Sequence, residues 1–320
     1  MTRRRQIPRA AVLIPALTVA AAVSLAAAQT QAPPPPKATF RSSIDLVRIT
    51  AVVRDHKGRF VSDLSVHDFE ILEGGRTRPI TDFKRDLSGV SVALLLDVSG
   101  SMEAQLGSAR EAADHVLSWL EVTRDEAAIF TFDTRLVEWM PFTSGLKNLP
   151  TSMSSVVPFG ATSLHDAIAQ TAERVGKRDG RRRAVVVLTD GRDNASRLAP
   201  GDVSAAASAI DVPVYIFGVV ASIDNPSADT RTSTAEHSPL SGPLADLASL
   251  TGGHVFVAST PGQRSIAARQ IIDELRHQYL MAFESSGEPG WHPLVVRARD
   301  RDLMVRARSG YVGQSHSTSD

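Results

Sequence analysis

The 320-residue chain contains no cysteine. That excludes disulfides, thiolate metal ligands, a cysteine nucleophile and a lipid-anchored cysteine at a processing site. It also lacks net charge, because 35 Lys and Arg balance 35 Asp and Glu; no chain-wide basic field argues for nucleic acid. The nine histidines show no His-x-x-x-His or comparable ligand spacing, which speaks against zinc catalysis. No Gly-x-Ser-x-Gly nucleophile elbow and no P-loop is present. Past the N-terminal region no run is apolar and long enough to span a bilayer. What is there is a chain with 42% hydrophobic residues, enough for a proper core, of a length that fits one large domain or two modest ones.

The N-terminus differs in kind. Arg3, Arg4, Arg5 and Arg9 precede an uncharged, mostly apolar stretch from Ala10 to Ala28, which ends Ala26-Ala27-Ala28 before Gln29. This predicts a secretory signal peptide over 1–28 and an exported protein, periplasmic or secreted. The rival reading is an uncleaved anchor; Pro15 and the Ala-rich composition favour the leader. Thr2-Arg3-Arg4 hints at twin-arginine export, although the residues after it fit poorly. Residues 29–39, with Pro33 to Pro36, read as an extended tether.

From Phe40 the pattern is β. Val47, Ile49, Ala51 and Val53 alternate along a half-buried strand, and Phe69 and Ile71 alternate before Gly74-Gly75 breaks the run. From Ser91 strands alternate with helices: an apolar run Val92–Leu96, a helical face through Leu106, Ala109, Ala113, Val116 and Leu117, a strand at 127–132 with 136–140 as its partner, and further strands at 184–189, 212–220 and 254–258. Helices are expected near 164–175, 203–210, 244–250 and 266–275. The fold class expected is α/β, a doubly wound, mostly parallel sheet with helices on both faces. After the last helix β character returns at 279–283, 294–299 and 303–307. A two-hairpin unit alone is marginal, so residues 40–90 and 278–313 are expected to join into one small antiparallel β domain flanking a central 91–277 domain. Residues 314–320 are expected to be a disordered tail.

The chemistry is concentrated in Asp97-Val98-Ser99-Gly100-Ser101, which follows the apolar run 92–96. A carboxylate and two hydroxyls leave one strand end side by side, and all are hard oxygen donors suited to Mg²⁺, with Mn²⁺ or Ca²⁺ as alternatives. An amphipathic stretch starting near Glu103 places a helix N-terminus after the loop, a setting that favours a bound anion. Two distant segments add to this: Gly160-Ala161-Thr162-Ser163-Leu164, a loop opening a helix, and Ala184–Leu188 followed by Thr189-Asp190-Gly191, a strand ending in an acid. The ordinary use of such serines is to cap a helix, and the ordinary use of Asp-Gly is a turn.

Asp-x-Ser-x-Ser, a Gly-x-Thr-x-Leu loop and a strand ending Thr-Asp-Gly, in that order, resemble a von Willebrand factor type A domain and its metal-ion-dependent adhesion site. The resemblance implies metal roles for Asp97, Ser99, Ser101, Thr162 and Asp190, some direct and some through water. The stretch Leu46–Phe83 and the ending Val305–Tyr311 extend the likeness to exported type A-related proteins known mainly from Acidobacteria. In sheets of this class ligands bind beyond the carboxyl ends of the strands, where Asp97 and Asp190 both sit. Ala221–Pro243, long and polar, follows a strand end and is expected on the same face, as a ligand-shaping loop or a solvated insertion.

Two functions of different class follow. One is a non-enzymatic, adhesion-type binding module, whose metal is completed by a Glu or Asp of a protein partner. The other is a Mg²⁺-dependent hydrolase or phosphoryl-transfer enzyme using Asp97 as nucleophile. The enzyme would want a general acid, often an Asp two residues on, and a Lys to balance phosphate. Position 99 is Ser and no Lys lies in the three motifs, so the binding module is the expectation. Asp193 and Asn194, after Asp190, offer groups that could support the ligands from behind, but read foremost as turn residues; His165 and Asp166 read as a helix-start turn and Asp133 as a solvated loop acid.

Overall fold

A computed structural model describes residues 46–85, 88–178, 182–209, 211–221 and 240–313. The expected leader (1–28) and tether (29–39), most of the 221–243 loop and the 314–320 tail lie outside the described residues.

The chain begins with β1 (Leu46–Arg54), whose Val47, Ile49, Ala51 and Val53 turn inward as the alternation predicts. A single 3₁₀ turn, Val66–Asp68, leads into β2 (Phe69–Glu73) and, across Gly74-Gly75, into β3 (Arg76–Arg78). Pro79 has no amide hydrogen to give a ladder, and the chain leaves the sheet there. The next strand, β4 (Ile80–Arg85), pairs in a different sheet.

The central layer follows: β5 (Val90–Asp97), α1 (Leu106–Ser118), β6 (Glu126–Phe132), β7 (Leu136–Ser144), α2 (Leu164–Gly176), β8 (Arg182–Thr189), α3 (Pro200–Ala209), β9 (Val214–Val219), α4 (Pro243–Thr251), β10 (Val255–Ala258) and α5 (Pro261–Arg276). The strands form a six-stranded sheet in the order β10-β9-β8-β5-β6-β7, parallel except for the edge strand β7. Every residue of β5, β9 and β6 is buried, the mark of strands covered on both faces. Along β5 the faces divide cleanly. Val92, Leu94 and Leu96 pack with α1 and α5, whereas Ala93 and Leu95 pack with α2, α3 and α4. The expected α/β architecture is therefore the one observed.

The tail supplies β11 (Gln278–Glu284), β12 (Gly290–Ala298), β13 (Met304–Ala307) and β14 (Gly310–Gly313). Strands from the two ends of the described chain interleave. One four-stranded sheet runs β13-β1-β11-β4 and the other β14-β12-β2-β3; all pairings are antiparallel. The two sheets face each other across one core. Val47, Ile49, Tyr279, Met281 and Phe283 come from the first, and Phe69, Ile71, Leu294, Val296 and Tyr311 from the second. Each such buried side chain contributes up to roughly 1.5–3 kcal/mol. The flanks thus build one antiparallel unit, as expected, but as a sandwich rather than a row of hairpins. Among the described residues no helix is long and apolar enough to cross a membrane.

Candidate metal centre

The site lies at the carboxyl edge of the six-stranded sheet, where β5 and β8 are adjacent. Each strand runs through an apolar stretch, Val92–Leu96 or Ala184–Leu188, and then ends in oxygen: Asp97 closes β5, and Thr189 closes β8 with Asp190 next. Asp97 is fully buried. Its Oδ1 accepts from the Ser99 amide at 2.9 Å and its Oδ2 from the Thr189 hydroxyl at 2.6 Å. A carboxylate has about four lone-pair sites, so acceptor capacity remains. Thr189 Oγ1 itself accepts from the Gly191 amide at 3.0 Å, so the end of β8 is clamped onto the end of β5.

The serines do not cap a helix. After Asp97 the chain makes a 3₁₀ turn, Gly100–Met102, and α1 starts only at Leu106, later than the expected start near Glu103. Neither the turn nor α1 has a side-chain cap, and the Ser99 and Ser101 hydroxyls instead lie 3.2 Å from each other. Ser99 is buried and Ser101 half-buried. Two adjacent hydroxyls that cap no helix keep oxygen lone pairs that could be offered to a cation.

The Thr162 loop is laced to both strand ends. Gly160 O accepts from the Gly100 amide at 3.0 Å, and the Phe159 amide donates to Val98 O at 3.0 Å. On its other side, Asn194 Oδ1 accepts from the Thr162 amide at 2.8 Å, and Thr162 O accepts from the Asn194 and Ala195 amides at 3.0 Å. Thr162 is buried. His165 Nδ1 lies 2.6 Å from Asp193 Oδ2, and Asp166 accepts from the Arg197 and Leu198 amides. Thus Asp193 and Asn194, read from sequence as turn residues, fasten the second loop to the third, as do His165 and Asp166. Asp133 contributes through its backbone, its carbonyl accepting from the Ser163 amide at 2.8 Å. Two glycines are needed here. A Cβ on Gly100 would sit 3.2 Å from Gly160 O, and Gly191 holds φ +88°, which other residues rarely adopt.

Asp190, 13% exposed at its side chain, accepts from the Arg192 amide at 3.1 Å; the mostly exposed Arg192 guanidinium stands 3.6 Å away. Burial pushes the Asp97 carboxyl up to about 6, against the opposing pull of bonds from Ser99 and Thr189, and the nearby Asp190 charge raises it further. Two carboxylates held close, one with no compensating cation, are a ready place for a dication.

The structure therefore brings together the three loops that carry Asp97, Ser99, Ser101, Thr162 and Asp190. All five donors are oxygens, without nitrogen or sulfur, which fits a hard dication. Among the described residues there is no cluster of three or more His, Asp or Glu side chains placed to hold a metal, so a cation here depends on hydroxyls as well as the two acids. Neither Thr189 nor Asn194 is a ligand candidate from the sequence. A threonine at a strand end reads as β propensity and an asparagine after Asp-Gly as turn chemistry.

Residues 92–192 match the von Willebrand factor type A domain. The matched span runs from β5 through the loop after β8 and contains all five candidate residues. No curated protein matches the chain. Among solved structures it is similar to an aerotolerance-related membrane protein from Bacteroides fragilis, with 21% identity over 58% of this chain and 98% of that one and a TM-score of 0.48. It is similar to BatB from Bacteroides thetaiotaomicron at 20% identity over 58% and 98%, TM-score 0.46. It is also similar to a von Willebrand factor type A protein from Catenulispora acidiphila at 13% identity over 85% and 75%, TM-score 0.46.

Proposed function

We propose that this chain is an exported, metal-dependent protein-binding module. A Mg²⁺ ion, or Mn²⁺ or Ca²⁺, is held by Asp97, Ser99, Ser101, Thr162 and Asp190, and a Glu or Asp of a protein partner completes its coordination. The observation that carries this reading is the hydrogen-bonded convergence of three sequence-distant loops on one sheet edge, together with the type A match over the same residues. A cation bound largely by neutral hydroxyls keeps more of its charge for an incoming carboxylate than one surrounded by acids.

Asp97 as a catalytic nucleophile is disfavoured by its surroundings. Both its oxygens already accept hydrogen bonds from Ser99 and Thr189, it is fully buried, and position 99 carries no second acid. Nucleophilic attack wants an accessible, in-line oxygen. Calorimetric titration of Mg²⁺ into the wild type and Asp97→Ala tests the site. Saturable binding by the wild type, lost in a variant with an unchanged circular dichroism spectrum, is the expected result. Equal affinity in both overturns the assignment, and Mg²⁺-dependent phosphatase or ATPase turnover that vanishes with Asp97 overturns the binding-module reading.

A further inference from the structure

Between the 3₁₀ turn at Thr151–Ser155 and the Thr162 loop runs a short segment, Val156-Val157-Pro158-Phe159. Its side chains alternate: Val156 and Pro158 are half-buried, while Val157 and Phe159 are 77% and 79% exposed. No other large apolar side chain among the described residues exceeds 57%. A soluble surface readily carries single exposed apolar residues. Here two of them, alternating with half-buried neighbours, stand on one short segment that is hydrogen-bonded to the Asp97 loop itself.

The segment is also held. Val156 N donates to Met153 O at 3.2 Å, above the buried Met153 side chain, and Arg110 Nη2 donates to Val156 O at 2.6 Å. Pro158 fixes its own φ. The Phe159 amide donates to Val98 O, between Asp97 and Ser99, and Gly160 O accepts from Gly100. Phe159 is therefore an aromatic side chain on a backbone already immobilised, which lowers the entropy lost when it is covered. Rigid aromatic anchors of this kind dominate binding energy at interfaces.

We propose that Val157 and Phe159 form the apolar half of a composite recognition surface whose other half is the metal, and that the partner segment carries a Glu or Asp with apolar side chains directly beside it. This rests on the metal-site reading above. The charge at the sheet edge selects the carboxylate, and the adjacent aromatic selects its neighbours. The arrangement distinguishes such a segment from an acidic stretch without apolar residues, which would satisfy the cation and leave Phe159 in water.

A displayed library of random peptides, panned on the full chain in Mg²⁺ and in EDTA, tests this. The variants are Asp97→Ala and the double variant Val157→Ser with Phe159→Ser, which changes only exposed side chains. In Mg²⁺ the wild type is expected to enrich peptides with an acid flanked by aliphatic or aromatic residues. The double variant is expected to keep Mg²⁺ affinity by calorimetry and the preference for an acid, to lose the apolar preference, and to bind the wild-type-selected peptides about tenfold more weakly. Identical enrichment by the wild type and the double variant overturns the inference and leaves the metal site standing. Absence of any Mg²⁺-dependent enrichment overturns both. Mg²⁺-dependent binding to phosphatidylserine vesicles in place of peptides also overturns it, because the apolar pair would then be a lipid contact.

Discussion

At the scale of a single residue, Asp97 sets the behaviour of the site. Its carboxyl is raised from 3.8 to about 6, chiefly by burial, with the Asp190 charge adding to the effect. A raised acid is protonated in the folded state over a range in which the unfolded chain has already lost the proton. Folding stability from this group is therefore greatest below pH about 4 and is lost as pH rises through about 6; the loss amounts to roughly 3 kcal/mol at most. Asp125 and Asp193 are shifted the other way, each held below the usual carboxylate range by amide and side-chain hydrogen bonds that outweigh burial, so they favour folding as pH rises above that range. The comparison that isolates Asp97 is with Asp97→Asn. In EDTA, the wild-type melting temperature is expected to fall relative to the variant between pH 4 and pH 7. In Mg²⁺ the wild type regains it near neutral pH, because cation and proton compete for one carboxylate. Parallel melting curves for the two proteins across that range would remove the buried charge from the account.

At the scale of elements, strand ends and loops make the site, and here the legibility of the sequence divides. Val92–Leu96 and Ala184–Leu188 are uninterrupted apolar runs, so their burial, and the place of Asp97 and Asp190 at one sheet edge, follow from pattern alone. The helical faces of α1 and α2 are legible for the same reason. The start of α1 is not, because Gly100–Met102 satisfies its backbone as a 3₁₀ turn that has no distinct periodicity. Nor is β14, four residues long, whose existence depends on β12 lying beside it. The lacing between loops is only partly legible: Asp193 and Asn194 stand beside the motif as candidate supports, but they and Thr189 act across sequence separations that local turn chemistry does not report. Gly100 tests whether that lacing sets metal affinity. Gly100→Ala places a methyl 3.2 Å from the Gly160 carbonyl oxygen, which is backbone and gives way only by moving the Thr162 loop. Mg²⁺ affinity is expected to fall about tenfold, as when groups supporting metal ligands are disturbed, while the melting temperature changes little. Unchanged calorimetric affinity would mean that the loop spacing has slack.

At the scale of the whole molecule, the sandwich and the six-stranded layer are joined by charge as well as by chain. Glu274 on α5 is almost fully buried and takes both arginines that reach it from the sandwich: Arg54 of β1 at 3.0 Å, and Arg306 of β13. Arg306 also donates to Gly253 O at 2.8 Å, at the turn after α4, and stands over the Tyr215 ring of β9. Arg308, between β13 and β14, stands 3.9 Å from Asp211, which precedes β9. These contacts gather at the end of the layer away from the candidate metal site, because α5 starts after the carboxyl end of β10 and runs back to hand the chain to β11. Replacing Glu274 leaves two partly buried guanidinium groups without their carboxylate, a change that breaks a pair rather than removing it. Glu274→Ala is expected to lower stability by about 2–4 kcal/mol and to resolve a single thermal transition into two, the sandwich and the layer melting apart. Mg²⁺ affinity at 25 °C should be unaffected, because the loops proposed to hold the cation lie at the opposite edge. A single transition at the wild-type temperature would mean that the apolar contacts between the two parts, and not the arginine pair, make the molecule cooperative.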